Sequence, residues 1–254
     1  MDWFTAGNSV TELIALALIL LAGFTSFVTA SMGVGGGVLL LAVMTTLVPV
    51  AALIPIHGLV QLGSNANRAF LTRKHIDRSL LLWFATGAIV GSVVGSFMVI
   101  QLPVVVIEFT VGGFILFLVW GGKPKAREST PIARFLVGVF TTFLSLFVGA
   151  TGPLVAGFIQ RAGSPKLVMT ATFASCMTLQ NILKATVFSV AGFAFFQWLP
   201  LILLMIASGF VGTWLGLKML DKIPEARFQI IFRILITALA LRLIVQAVIS
   251  LDMF

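Results

Sequence analysis

Residues 24–37 read Phe24-Thr25-Ser26-Phe27-Val28-Thr29-Ala30-Ser31-Met32-Gly33-Val34-Gly35-Gly36-Gly37. Residues 140–153 read Phe140-Thr141-Thr142-Phe143-Leu144-Ser145-Leu146-Phe147-Val148-Gly149-Ala150-Thr151-Gly152-Pro153. The two stretches align at a constant offset of 116 residues, which pairs Gly33 with Gly149 and Gly36 with Gly152. The same offset pairs Asn65 with Asn181, Arg68 with Lys184 and Ala69 with Ala185. Beyond the next loop the offset becomes 121, pairing Gly91 with Gly212, Gly95 with Gly216 and Pro103 with Pro224. A register held over two stretches marks an internal duplication, and a short insertion in one loop accounts for the step.

Both opening stretches run from an apolar segment into residues that break helices, a glycine cluster in one and Gly152-Pro153 in the other. Composition says where those breaks lie. The chain has 254 residues, 59% hydrophobic and 9% charged, where soluble domains carry about 25% charged residues. Such a chain cannot cover itself with polar surface in water. This excludes an ordinary soluble enzyme, a disordered chain and a nucleic-acid binder, despite a net charge of +8. Ten apolar stretches follow one another: 10–31, 36–48, 51–71, 80–100 and 104–121, then 134–149, 153–160, 167–191, 199–217 and 227–249. A helix needs about 20 apolar residues to cross a bilayer core. Stretches 36–48 and 153–160 are too short, so each is expected to form a broken or re-entrant hairpin with the stretch before it, a tilted full crossing being the alternative. The expected fold is therefore all-α: a polytopic integral membrane protein with one integrated transmembrane domain. Its parts are a first repeat over 1–122, a cytoplasmic linker over 123–133 and a second repeat over 134–254. Asp2 and Glu12 before the first apolar run do not read as a signal peptide. A lone Cys176 inside an apolar run forms no intramolecular disulfide.

Loop charge gives an orientation. Arg68, Arg73, Lys74 and Arg78 cluster at one turn, Lys123, Lys125, Arg127 and Arg134 at the linker, Arg161 and Lys166 at a third turn, and Lys218, Lys222 and Arg227 at a fourth. Basic loops face the cytoplasm. The corresponding turns of the other half, near Pro103 and Gln197, carry no Lys or Arg. Opposite bias in equivalent loops is expected of repeats inserted in opposite senses, with both termini outside. The alternative is a parallel duplication with accidental charge asymmetry. Trp83 and Trp120 fall at inner boundaries and Trp3 and Trp198 at outer ones, as an aromatic belt would place them.

Broken backbone at membrane depth is tolerated only where it is buried in protein or lines a wet cavity. It frees N–H groups at the start of the next half-helix, where the helix dipole favours an anion. Ser31, Gly35, Gly36, Gly37, Thr151 and Gly152 are candidates on this ground; the competing role of the glycines is close helix packing. Gly33-Val34-Gly35 is not a nucleotide fingerprint, because the third glycine and a preceding strand are both missing. A second candidate set is the stripe His57, Gln61, Ser64, Asn65 and Arg68, within one helix face about 100° wide. Gln180, Asn181 and Lys184 repeat its lower part, while Phe173 and Met177 replace His57 and Gln61. Polar stripes on membrane helices face protein or water. Asn and Gln can donate to an oxyanion without a buried charge, and Arg68 and Lys184 complement a negative one. Arg68 lies close enough to a loop to snorkel instead; Lys184 does not.

Glu108 is the one acidic residue well inside an apolar stretch, too few for a carboxylate proton relay, and it is expected at the interface. Two histidines and one cysteine make no metal or haem site. No catalytic set is present, so no enzyme and no cofactor is expected. Gly87, Gly91, Gly95, Gly209, Gly212 and Gly216 read as close-packing positions.

The duplicated pattern resembles the TauE/SafE family. The resemblance is carried by Met32-Gly33-Val34-Gly35-Gly36-Gly37, by Gly149-Ala150-Thr151-Gly152-Pro153 and by Arg73-Lys74-His75-Ile76-Asp77. Members are described as sulfite and organosulfonate exporters, which implies a multi-pass transporter of the bacterial inner membrane with small sulfur-containing anions as substrates. Its partners would be that anion and the lipid bilayer, with a homodimer as a compatible assembly. A passive anion channel or facilitator, or a carrier of carboxylates, remains an alternative.

Overall fold

The computed structural model describes residues 5, 9–32, 35–99, 104–121, 130–159, 165–219, 234, 237–245 and 247–249, with 118 and 119 described by backbone alone. All regular structure among them is helical. The helices are α1 (Glu12–Met32), α2 (Gly36–Leu47), α3 (Val50–Leu71), α4 (Arg78–Val99), α5 (Val104–Trp120), α6 (Pro131–Val148), α7 (Gly152–Ile159), α8 (Lys166–Val190) and α9 (Phe195–Lys218). A 3-10 turn covers Arg73–His75, and the described residues of 237–249 are helical.

Local chemistry sets these boundaries. Asp77 Oδ1 accepts from Leu80 N at 3.0 Å at the start of α4, satisfying an orphan amide of the first turn. Thr130 caps α6 in the same way, accepting from Ala133 N at 3.2 Å, with Pro131 in the first turn where its missing N–H costs nothing. Gly149 ends α6 with φ 79° and Gly35 precedes α2 with φ 108°, conformations open to glycine and strained for other L-residues. Both expected breaks are therefore present: α1 stops at Met32 before α2 starts at Gly36, and α6 stops at Val148 before α7 starts at Gly152.

Helices α1, α4, α6 and α9 are long and apolar enough to cross a membrane. Helices α3 and α8, of 22 and 25 residues, are long enough but carry the polar stripes. At about 1.5 Å per residue α2 and α7 reach only roughly 18 and 12 Å, against a core of about 30 Å. The surface has the inverse of a soluble protein's pattern. Leu13, Leu20, Leu82, Phe97, Phe140 and Phe210 are exposed, while His57, Asn65, Arg68, Gln180, Asn181 and Lys184 are buried. That distribution suits a solvent of lipid tails, and the chain is a multi-pass membrane protein.

Corresponding helices of the two halves exchange partners. Helix α1 packs along α9, its counterpart contact is α6 along α4, and α3 lies on α8. The glycines of α4 and α9 permit this. A Cβ at Gly91 would fall on the Val139 carbonyl of α6, and one at Gly212 on the Gly23 carbonyl of α1. Backbones touch there, as the close-packing reading expects.

Two placements differ from expectation, and that of Arg68 bears on an alternative left open by the sequence. Trp198 is buried in the main apolar cluster rather than sitting in a boundary belt. Burial of Arg68 under Phe173 replaces snorkelling. Glu108 is buried, and its Oε2 has no hydrogen-bond partner. Gly33, Trp3, Pro103, Arg161, Lys222, Pro224, Arg227 and most of the 123–133 linker lie outside the described residues.

Candidate functional site

The two breaks and the two striped helices meet at one cavity, holding about 380 Å³ of space not filled by atoms, its open mouth included. The first break contributes Gly35, Gly37 and Val38, with Thr29 from the end of α1. The second contributes Gly149, Ala150, Gly152 and Pro153. Helix α3 supplies His57, Gln61 and Asn65; helix α8 supplies Phe173, Met177 and Asn181. These triplets occupy the same register of the duplication, so the cavity lies where the two repeats face each other. The starts of α2 and α7 both reach its wall, the arrangement that favours negative charge. No carboxylate is among its described lining residues.

Hydrogen bonding separates residues that are already satisfied from those that are not. Asn65 Nδ2 donates to Gln61 O at 2.8 Å and lies 3.4 Å from Gln61 Oε1, and its Oδ1 accepts from Arg68 Nη2. The Arg68 guanidinium also sits over the Phe173 ring, 5.3 Å from its centroid. Arg68 thus fixes the Asn65 amide. Asn181, its duplicate, has no such partner: its Nδ2 is buried without an acceptor. His57 Nε2 donates to Gly37 O at 2.8 Å, and its Nδ1 is buried with no partner. An unmatched buried donor is costly unless something fills the role.

Lys184 is fully buried and crosses over Gly58 of α3 to donate from Nζ to Gly149 O at 2.6 Å. It closes the C-terminal end of α6, where a cation suits the helix dipole, and brings a positive charge against the cavity wall. Gln180 stands apart from the cavity. It accepts from Thr151 Oγ1 at 2.7 Å and donates to Thr141 Oγ1 and Thr142 Oγ1 at 3.2 and 3.1 Å. Gln180 and Thr151 therefore brace α8 against α6 and the second break. Ser31 donates to Phe27 O at 2.9 Å within α1 and does not line the cavity. Gly36 packs against α1 beside it. Thr29, Phe173, Met177 and Pro153 are wall residues that the polar-stripe argument did not select; the duplication register pointed to Phe173 and Met177 as the counterparts of His57 and Gln61. Among the described residues no cluster of His, Cys, Asp and Glu could hold a metal ion.

The sulfite exporter TauE/SafE family matches residues 18–243. The chain belongs to the TauE/SafE family. The match takes in both breaks and both polar helices, so the cavity lies wholly within the family's common region. No curated protein and no solved structure matches the chain significantly. TauE/SafE membership makes the protein an exporter-type membrane transporter.

Proposed function

We propose that this TauE/SafE protein is a secondary transporter of the bacterial inner membrane that exports small sulfur-containing anions, sulfite or organosulfonates, by alternating access. The carrying observation is the convergence of two helix breaks on one cavity whose described lining has no carboxylate and includes Asn181, a residue with an unmatched buried amide donor. An oxyanion fits there because amide donors and half-helix N-termini replace its hydration shell. The oppositely biased loops support repeats inserted in opposite senses, with both termini outside. One bundle would then rock against the other, with the close-packed α1–α9 and α4–α6 pairs each moving as a unit.

Saturable movement of labelled sulfite or methanesulfonate in proteoliposomes tests this. Flux that never saturates points to a passive facilitator, and competition by acetate but not by sulfonates points to a carboxylate carrier. Asn181→Ala should weaken anion binding about 10- to 100-fold, the worth of one hydrogen bond to a charged group. Asn65→Ala should weaken it less, since that amide is already engaged with Gln61 and Arg68. Unchanged affinity in both variants, by calorimetric titration, removes the asparagines from the site.

A further inference from the structure

We infer that a proton travels with the anion, held between His57 Nδ1 and an anion oxygen. The inference rests on the reading of the cavity as the transport site. A backbone carbonyl can only accept, so the bond from His57 to Gly37 O fixes the ring proton on Nε2. Nδ1 is then a bare lone pair in the neutral ring. It is buried, it belongs to a residue of the cavity wall, and no protein group donates to it.

An anion brought within reach of that lone pair would be repelled by it. The contact becomes attractive in two ways: Nδ1 carries a proton and donates it, or the anion carries one and Nδ1 accepts. Either way one proton lies between ring and oxygen. Asn181 Nδ2, the other unmatched atom of the wall, can donate directly to a second oxygen. The pair complements an oxyanion together with a proton rather than a bare anion.

Charge couples the two. Helix α2 carries no titratable group. The described titratable groups of the other helices packed on α3 are Glu12 in α1, Glu108 in α5, Arg134 in α6, Lys166, Cys176 and Lys184 in α8, and Lys218 in α9. Lys184 crosses Gly58, the residue next to His57, and brings its ammonium to Gly149 O; Arg68 lies three turns along α3 itself. Two positive charges side by side in an empty cavity repel, and an anion beside both offsets the repulsion. Proton and anion therefore favour each other's binding reciprocally. The proton comes from water on the loading side and leaves to water on the other, and no other bond changes.

Methanesulfonate is the probe, because it stays ionised and cannot ferry a proton itself. Proteoliposomes containing a trapped pH dye should show about one proton moving in the same direction per labelled methanesulfonate. The flux should be insensitive to a potassium–valinomycin potential. In His57→Gln, which cannot titrate, the ratio of protons to anions should fall more than about ten-fold. Wild-type anion flux that follows the imposed potential without proton movement overturns the inference and leaves the transporter reading intact, and needs no variant to fold. An unchanged ratio in His57→Gln also overturns it. Absence of saturable flux for both methanesulfonate and sulfite overturns the transporter reading, and the coupling with it.

Discussion

Gly36→Ala is expected to destabilise the protein by roughly 3 kcal/mol or more, whereas Gly152→Ala should cost under about 1 kcal/mol. The two glycines are register mates in the duplication and both begin a half-helix. Their surroundings differ. A Cβ on Gly36 would land on the Thr25 carbonyl oxygen, with Thr29 Oγ1 beside it. Those atoms already form a hydrogen bond of 2.9 Å, so neither is free to retreat. Relief would require moving the α1 backbone, which α9 holds from its other side. A Cβ on Gly152 would meet only the Phe173 ring edge, 3.4 Å away, an ordinary contact. Thermal unfolding of the two variants in detergent checks this. Equal losses would mean that α2 is not seated on α1 through Gly36.

The same contrast shows how far the sequence could be read. The breaks, the helix limits within a few residues, and the polar faces of α3 and α8 were legible, because each follows from local patterning: glycine clusters, run lengths and a helical period. The close-packing role of Gly91 and Gly212 was legible because small residues recur at the same register in both halves. What each stripe residue touches was not. Gln180 and Asn181 are neighbours of like chemistry, yet one is saturated by Thr141, Thr142 and Thr151 while the other, a cavity-wall residue, keeps an unmatched buried donor. Arg68 stood near a loop and looked able to snorkel, but Phe173 from the other repeat covers it. Such outcomes depend on side chains brought together across 29 to 39 positions of sequence for Gln180 and 105 for Arg68 and Phe173, and no local pattern encodes them. Duplication hides the difference further, since equal register suggests equal role.

Lys184→Met should lower anion affinity about 100-fold while leaving the fold assembled. The ammonium sits 2.6 Å from Gly149 O, on a residue of the cavity wall. For a monoanion taken at a separation of about 6 Å and an effective dielectric of about 20, that charge is worth ~3 kcal/mol, or about 100-fold in Kd. Folding responds differently. Methionine follows the path of the lysine stem over Gly58, where an added Cβ would lie 2.7 Å from Lys184 Cδ. The Gly149 carbonyl loses its donor, at about 1–3 kcal/mol, but the protein no longer buries an ammonium that has no carboxylate beside it among the described residues, and removing such a charge commonly offsets the loss. A structural role alone would give the reverse result, a fall in melting temperature with anion affinity unchanged. The duplicate cation does not substitute, because Arg68 is engaged by Asn65 Oδ1 and the Phe173 ring. Its removal should act through the orientation of Asn65, so Arg68→Met combined with Asn65→Ala should weaken binding little more than Asn65→Ala alone. Lys184→Met should instead add in full to Asn65→Ala, because the charge reaches the anion without passing through that amide.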